Sequence, residues 1–261
     1  MFDLPFSLSL GGGGARGIAH VGVIRRLEEL GHAPQALSGT SMWAIVATLY
    51  ALGHTSHDME KILREVKWLS LIDFDMKRGL IKGTKIERYL DRIFEGKSFP
   101  DTEIPLILTS TDIDTGEAVV FSTGKLSHAV RASIGVPGIF SPLYYEGRYL
   151  VDGWLTANLP IEVLPEGRVI AVSAMRDITK KISYKRRLFS LDWQKTIFSN
   201  GYTILRKTID IVIIQNEKRS IMSRPDILYI RPDFADMDYY EFHKYPLFIE
   251  SWYRAAKTLL A

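Results

Sequence analysis

The chain has 261 residues, 46% of them hydrophobic and 24% charged, which is enough for one large domain or two small ones with a core that needs no covalent staple. It contains no cysteine, which excludes a disulfide scaffold, a cysteine-ligated metal centre, a cysteine nucleophile and a lipidated cysteine. With 33 basic and 30 acidic side chains the net charge is +3, a balance too even to indicate nucleic acid as a partner.

The apolar segments indicate no membrane span. The N-terminus has no basic region followed by a long apolar run, so no signal peptide is predicted. The longest apolar stretch, 44–52, is far shorter than the roughly 20 residues that cross a bilayer. The sequence therefore predicts a cytoplasmic protein that is soluble or bound at a membrane surface.

The first predicted elements alternate between strand and helix. A short strand over 5–10 runs into four consecutive glycines, and an amphipathic helix follows over 16–30. A second strand over 36–39 leads to Ser41, where an apolar helix begins that Gly53 ends.

The same alternation continues along the rest of the chain. Thr55 or Ser56 caps the next helix, and the residues from Thr84 to Glu87 form a capping box that predicts another helix through Ile93. The later predicted strands are 104–113, 117–122, 148–151, 169–173 and 226–230, and the later predicted helices are 195–219 and 246–260. Interleaved strands and helices predict an α/β fold with a mostly parallel sheet covered on both faces, which we expect to be a single domain over 1–261.

The glycine run after the first strand is a candidate binding site. Glycines let the chain turn tightly and let a ligand approach the backbone, and a helix N-terminus favours negative charge. Gly12, Gly14 and Gly17 match the dinucleotide fingerprint, but no acidic residue follows about 20 positions later to bind a ribose. A glycine turn without a ligand and a site for a transient oxyanion are the other interpretations.

Ser41 is the candidate nucleophile. It lies in Gly39-Thr40-Ser41-Met42-Trp43, which follows a strand and opens a helix, so its hydroxyl would be presented on a sharp turn. The full nucleophile-elbow pattern has a second glycine where this chain has Trp43. A helix-capping role for the serine is the alternative.

Asp152 is the candidate general base. None of the six histidines stands in the acid-then-histidine order of an α/β-hydrolase triad, although such triads are spatial. Asp152 follows a strand and precedes Gly153, and an aspartate within hydrogen-bond reach of the serine can act as the base. Partial burial should raise its pKa above the reference value of about 3.9. A turn aspartate at a strand end is the alternative.

Together these motifs resemble those of the patatin-like phospholipases, whose pattern is Gly-Gly-Gly-x-Arg-Gly, then Gly-x-Ser-x-Gly, then Asp-Gly-Gly or Asp-Gly-Ala. The matching segments here are Gly12-Gly13-Gly14-Ala15-Arg16-Gly17, Gly39-Thr40-Ser41-Met42-Trp43 and Asp152-Gly153-Trp154. Flanking blocks at Thr111-Asp112, Arg131-Ala132-Ser133 and Asn158-Leu159-Pro160 are also similar. The resemblance covers nearly the whole chain, from Ser7 to the final helix.

The resemblance implies a three-layer α/β/α fold and a Ser–Asp dyad that needs no metal or cofactor. Ser41 would attack an ester carbonyl while Asp152 takes its proton, and water would then resolve the acyl-enzyme. The glycine loop would hold the oxyanion, chiefly through the N–H groups of Gly13 and Gly14, and Arg16 would orient that loop. The implied substrates are lipid acyl esters, commonly phospholipids or lysophospholipids. An acyltransferase that uses the same acyl-enzyme is an alternative.

Trp43 and Trp154 stand where the family pattern has glycine, and Trp252 is a candidate third position, since a Gly-Tyr pair often lies in the closing helix of the family. Trp43 would overpack the elbow and Trp154 could fill the acyl pocket, so an inactive lipid- or partner-binding protein is a further alternative. A second hypothesis is that the gene uses UGA as a glycine codon, in which case the functional protein carries glycine at positions 43 and 154.

The basic stretch 180–187, from Lys180 to Arg187, precedes aromatic and aliphatic residues. Basic residues beside aromatic ones predict peripheral contact with an anionic membrane. A solvated loop followed by a core-facing helix is the alternative. The sequence leaves the oligomeric state open.

Overall fold

The computed structural model describes residues 4–75, 80–175, 193–231 and 244–260. Its strands are β1 (Phe6–Leu10), β2 (Ala36–Thr40), β3 (Phe74–Asp75), β4 (Leu80–Ile81), β5 (Leu106–Asp112), β6 (Ala118–Phe121), β7 (Leu143–Tyr145), β8 (Arg148–Asp152), β9 (Arg168–Val172) and β10 (Ile227–Ile230). Its helices are α1 (His20–Glu29), α2 (Met42–Ala51), α3 (Ser56–Glu65), α4 (Thr84–Ile93), α5 (Leu126–Ser133), α6 (Trp154–Ala157), α7 (Trp193–Met222) and α8 (Tyr245–Leu259). Short 3₁₀ turns cover Gly14–Ala19, Trp68–Leu71 and Phe99–Asp101.

Eight strands form one sheet in the order β10-β9-β1-β2-β5-β8-β7, with β6 paired to β5. β10, β9, β1, β2 and β5 run parallel, whereas β6, β8 and β7 are antiparallel to their neighbours. The predicted α/β fold with a mostly parallel sheet is confirmed. β3 and β4 form a separate two-stranded sheet.

Helices cover the sheet on both faces, as the alternation of buried residues along β9 shows. Ile170 and Val172 belong to the larger core, with residues of α1, α2 and α8, whereas Val169 and Ala171 belong to a smaller core that Ile221 of α7 joins. Successive residues of a strand point to opposite faces, so both faces of β9 are apolar and buried.

The polar groups in this buried sheet are hydrogen-bonded. Ser38 Oγ on β2 donates to the carbonyl oxygen of Pro160 at 2.8 Å and lies 3.0 Å from Ser9 Oγ on β1. Satisfied in this way, serines are tolerated within strands that are otherwise apolar.

The carboxyl ends of three strands converge. Thr40, the last residue of β2, pairs with Thr109 on β5, and the next residue of β5, Ser110, pairs with Asp152 at the end of β8. The residue after Thr40 and the last residue of β8 therefore flank β5 at the same level. β1, which ends in the glycine run, lies on the other side of β2.

The predicted capping box at the start of α4 is wrong. The N-cap is Gly83, in the left-handed conformation with φ of 78°, and Thr84 is already helical. The carboxylate of Asp73 accepts from the N–H of Gly83 at 2.8 Å and from the N–H of Lys85 at 3.0 Å. The capping side chain is Asp73, which lies 10 residues before Gly83 in the chain, so a four-residue sequence pattern does not reveal it. At α3, by contrast, Thr55 and Asp58 form a capping box.

The predicted helix over 16–30 is shorter than expected, since α1 begins at His20 after a 3₁₀ turn. The sequence pattern did not predict α5, a helix of eight residues of which nearly all are buried, including Arg131. The basic stretch 180–187 lies outside the described residues. Within the described residues, every helix is too short or too polar to cross a bilayer.

Candidate active site

Ser41 lies on the turn between β2 and α2 in a strained conformation, with φ of 63° and ψ of −140°. A positive φ is uncommon for a residue with a side chain and persists where surrounding structure enforces it. The N–H of Ser41 donates to Ser133 Oγ at 2.8 Å, and that hydroxyl donates to the carbonyl oxygen of Thr109 at 2.6 Å. A Cβ on Gly39 would lie 3.0 Å from Ala47 Cβ, so the turn fits closely against α2.

Ser41 and Asp152 are directly hydrogen-bonded across β5. Ser41 Oγ donates to Asp152 Oδ2 at 2.6 Å, and Asp152 Oδ1 accepts from the N–H of Trp154 at 3.1 Å. Asp152 is fully buried. Burial raises the pKa of Asp152 to about 7, while the two hydrogen bonds oppose that rise. A carboxylate with this pKa is a competent proton acceptor near neutral pH.

Backbone contacts fix Asp152 on β8. Its N–H donates to the carbonyl oxygen of Gly135 at 2.9 Å, and Thr111 Oγ1 donates to its carbonyl oxygen at 3.0 Å. A Cβ on Gly153 would lie 2.5 Å from the carbonyl oxygen of Thr109. Glycine is therefore required after Asp152, since any side chain there would collide with β5.

Thr40, which precedes the serine, is tied to the neighbouring segments. Its Oγ1 lies 2.5 Å from Thr109 Oγ1 and donates to the carbonyl oxygen of Ala157 at 2.8 Å. Met42, which follows the serine, is half-buried at the start of α2. Thr40 is thus held by β5 and α6.

The glycine loop runs beside Ser41. The N–H of Gly11 donates to the carbonyl oxygen of Val172 and that of Gly12 donates to Asn158, both at 2.9 Å. A Cβ on Gly12 would lie 3.5 Å from Ser41 Cβ, so this loop and the serine are neighbours. In the described structure the N–H groups of Gly13 and Gly14 have no acceptor. The loop can therefore offer two backbone donors.

The rest of the loop is tightly packed. A Cβ on Gly13 would lie 2.5 Å from Ala174 Cβ, and Gly14 has φ of 64°. Arg16 is fully buried, with Nη1 3.5 Å from the carbonyl oxygen of Ala174. Ala15 lies within the 3₁₀ turn Gly14–Ala19. The loop conformation depends on glycines and on contacts with the segment after β9.

No histidine side chain hydrogen-bonds to Ser41 or Asp152 in the described structure. His20, the histidine nearest in sequence to the glycine loop, is buried, and its Nε2 lies 3.1 Å from the carbonyl oxygen of Val172. Burial lowers the pKa of His20 well below its usual value.

The two tryptophans in the motifs are accommodated without separating Ser41 from Asp152. Trp43 is fully buried and stacks on His20 with ring centroids 3.7 Å apart. A Cβ on Gly17 would lie 3.0 Å from its ring. Trp154 packs against a cluster of Met175, Ile213 and Ile214 that includes residues of α7. The expected overpacking of the elbow therefore does not displace the serine.

Sequence reasoning missed several residues that shape this site. Ser133 and Thr109 hold the turn at Ser41. Thr109 lies in a predicted strand and Ser133 in a flanking block, but nothing in their neighbouring sequence indicates contact with Ser41. Glu217 on α7 is 1% exposed and hydrogen-bonds to Asn158, which touches the glycine loop. A glutamate within a long helix gives no sequence signal of such a contact.

The fold and site define an α/β protein with a buried serine–aspartate pair at the strand ends, beside a glycine loop. The family model described as patatin-like phospholipase matches residues 8–165. The chain belongs to this family, which confirms the resemblance seen in the motifs.

Several curated relatives share this region. An uncharacterised NTE family protein of Mycobacterium tuberculosis is 35% identical over 158 residues, which are 59% of this chain and 44% of the relative. The patatin-like phospholipase domain-containing protein 6 of Mus musculus is 31% identical over 168 residues, which are 60% of this chain and 12% of that protein. The chain therefore spans less than half the length of these relatives.

Two solved structures share the fold. VipD from Legionella pneumophila matches with a TM-score of 0.66 at 16% identity, covering 98% of this chain and 66% of that chain. The type III effector protein ExoU matches with a TM-score of 0.50 at 12% identity, covering 98% of this chain and 53% of that chain. At these identities the likeness supports the fold alone.

Proposed function

We propose that the protein is a lipid acyl hydrolase in which Ser41 is the nucleophile and Asp152 the general base. The observation that carries the proposal is the 2.6 Å hydrogen bond from Ser41 Oγ to Asp152 Oδ2 in a buried site. A serine is a weak nucleophile unless an adjacent base removes its proton, and this geometry supplies that base.

The reaction proceeds in two halves. Ser41 Oγ attacks the ester carbonyl carbon as its proton passes to Asp152, and the carbonyl electron pair moves onto oxygen. The tetrahedral intermediate then collapses, the alkoxide leaves with the proton from Asp152, and Ser41 remains acylated. Water attacks the acyl-enzyme with Asp152 again as base, which releases the fatty acid and restores the serine.

The glycine loop provides the oxyanion hole in this mechanism. The N–H groups of Gly13 and Gly14 donate to the negative oxygen of the intermediate, and each such donor contributes about 3 kcal/mol to transition-state stabilisation. The rest of the Gly12–Gly17 segment, with Ala15 and the buried Arg16, holds these donors in place.

An apolar cleft between α2, α3 and α4 is the candidate site for part of an acyl chain. Its cavity volume is about 40 Å³, so a long chain fits only when the lining side chains move apart. Ile45, Val46 and Leu49 line it on α2, and they continue the helix face that Met42 begins directly after the nucleophile. The remaining lining residues are Met59, Ile62, Leu63, Val66, Leu71, Ile86, Tyr89, Leu90 and Ile93.

The test compares variants on p-nitrophenyl esters of graded chain length and with a fluorophosphonate probe. Ser41→Ala and Asp152→Asn should each lower kcat by at least about 1000-fold, and Ser41→Ala should abolish labelling. Ser141→Ala is the matched control, because this buried hydroxyl has no hydrogen-bond partner in the described structure and should be dispensable. A wild-type protein with neither labelling nor ester hydrolysis would refute the proposal and favour a lipid- or partner-binding protein.

A further inference from the structure

A second buried carboxylate lies behind Asn158, a residue that contacts the glycine loop. Glu217 on α7 is 1% exposed and takes no part in the proposed chemistry. It accepts hydrogen bonds from Asn158 Nδ2 at 2.6 Å, Ser173 Oγ at 2.8 Å and Tyr229 Oη at 3.3 Å. In the described structure no lysine or arginine lies within ion-pair distance of it. A buried carboxylate is costly, so its hydrogen bonds must compensate.

One oxygen of Glu217 holds Asn158, the residue that we call the first wall of the glycine loop. Oε1 accepts from the Asn158 amide, which also donates to the carbonyl oxygen of Gly12 at 3.4 Å. The carbonyl oxygen of Asn158 in turn accepts from the N–H of Gly12. A Cβ on Gly12 would lie 2.4 Å from Asn158 Oδ1, so the loop rests directly on this side chain.

The other oxygen holds the second wall. Oε2 accepts from Ser173 Oγ, and this hydroxyl accepts from the N–H of Met175 at 3.1 Å. The two hydrogen bonds fix the backbone on both sides of Ala174, the residue that we call the second wall. The Cβ of Ala174 lies 2.5 Å from where a Cβ on Gly13 would be. Gly12 therefore rests on the wall formed by Asn158, and Gly13 on the wall formed by Ala174.

We propose that Glu217 is a positioning residue that fixes the spacing of these two walls and thereby aims the N–H groups of Gly13 and Gly14. The inference rests on the proposed function, because it assigns those N–H groups to the oxyanion. Preorganised donors lose effect when misplaced by a fraction of an ångström, so an anchor behind the loop affects kcat without touching substrate.

The chemistry of the position favours a carboxylate. Three donors converge on Glu217, and an ionised carboxylate accepts from all of them, whereas a glutamine presents an NH₂ group to one side. Burial raises the pKa of Glu217 to about 7, and the same three hydrogen bonds lower it. Glu217→Gln keeps the shape of the side chain but turns an NH₂ donor towards one wall, where the carboxylate accepted a hydrogen bond.

The test is the kcat of Glu217→Gln on a short p-nitrophenyl ester, expressed per active site counted by fluorophosphonate labelling. We expect kcat to fall at least tenfold, with KM changed less than twofold and the melting temperature changed by only a few degrees. Ser173→Ala, which removes the contact of one wall, should show the same pattern with a smaller loss. Ser141→Ala is the control, because this buried hydroxyl takes no part in the network around Glu217, and its kcat should stay within threefold of wild type.

Counting active sites separates positioning from folding. A purely structural role would lower the number of labelled sites and the melting temperature but leave kcat per site unchanged. Unchanged kcat per site in both Glu217→Gln and Ser173→Ala would overturn the inference while wild-type activity still supports the proposed function. A wild-type protein that neither labels nor hydrolyses esters would instead remove the proposed function, and the inference with it.

Discussion

At the scale of single residues, the feature with most consequence is the burial of Asp152. A solvent-exposed aspartate is a weak base, and burial without a cationic partner raises its proton affinity. The hydrogen bonds from Ser41 and Trp154 restrain that rise, so its pKa settles at about 7 rather than higher. The same burial that suits catalysis therefore costs stability whenever the carboxylate is ionised.

The first prediction concerns the pH dependence of activity. The base must be deprotonated, so kcat/KM on a p-nitrophenyl ester should rise with pH through an apparent pKa near 7 and then level off. Glu217 has a raised pKa in the same range, so Glu217→Gln serves as a control that should retain the rise caused by Asp152. A profile with its rise near pH 4 would contradict this assignment of the base.

The second prediction concerns stability. The folded pKa of Asp152 exceeds the unfolded value of about 3.9, so its contribution to stability is present below that value and is lost as pH rises towards 7. Asp152→Asn should therefore be more stable than wild type at pH 8, by up to about 4 kcal/mol, and show little gain at pH 4. Urea unfolding at the two pH values measures the difference. An equal shift at both would exclude linkage to this carboxyl.

The third prediction concerns Trp43, which stands where the family has glycine. The side chain is fully buried on His20 and Gly17, so Trp43→Gly should lower the free energy of unfolding by about 3–5 kcal/mol. Trp154→Gly, at a half-buried position, should cost less. A higher melting temperature for Trp43→Gly would instead favour the hypothesis of UGA decoded as glycine, whereas ordinary UGG codons at 43 and 154 would exclude that hypothesis.

At the scale of secondary-structure elements, α2 joins the nucleophile to the apolar cleft. Its N-terminus begins directly after Ser41, and one of its faces lines the cleft with Ile45, Val46 and Leu49. Trp43 and Ala44, on another face of the same helix, are fully buried in the core. One helix therefore begins at the candidate nucleophile, packs into the core and lines the apolar cleft.

The fourth prediction tests the cleft. Ile45 lies one helical turn from Ser41, so Ile45→Phe should narrow the path for a long chain and leave room for an acetyl group. The kcat/KM for a twelve-carbon ester should fall roughly tenfold while that for the acetate ester is unchanged. Ile211→Phe, on an exposed part of α7, is the matched control and should alter neither. Equal losses on both esters would place the acyl chain elsewhere.

At the scale of the whole molecule, the sheet brings together segments that are far apart in sequence. Ser41 and Asp152 are separated by 111 positions, and antiparallel pairing of β8 with β5 places them on either side of one strand. Through Glu217, the long helix α7 then holds Asn158, which contacts the glycine loop. The site thus depends on the order of strands more than on any one motif.

The fifth prediction addresses the membrane. Each basic residue near an anionic surface contributes about 1 kcal/mol to binding, and the effect is screened by salt. Replacing Lys185, Arg186 and Arg187 with glutamate should therefore weaken binding to vesicles rich in phosphatidylserine at low salt, as measured by co-sedimentation. Hydrolysis of a soluble short-chain ester should be unaffected. Unchanged vesicle binding would show that the stretch 180–187 is not the contact.

The sequence by itself determined the elements that signal locally. Periodic apolar residues located most strands and helices, and glycines stood out because special backbone positions restrict which residue types fit. Ser41 and Asp152 stood out because each follows a predicted strand. The family resemblance was carried by the same short motifs, and it predicted the fold class correctly.

Only the tertiary structure decided how these motifs are supported. Asp73 caps α4, Ser133 holds the turn at Ser41, and Glu217 links Asn158 to Ser173. Each of these contacts joins residues that are distant in the chain. The raised pKa of Asp152 and the fit of Trp43 against His20 likewise depend on burial. Desolvation and packing are properties of the assembled fold, because they depend on which segments exclude water from which side chains, and no local pattern encodes that.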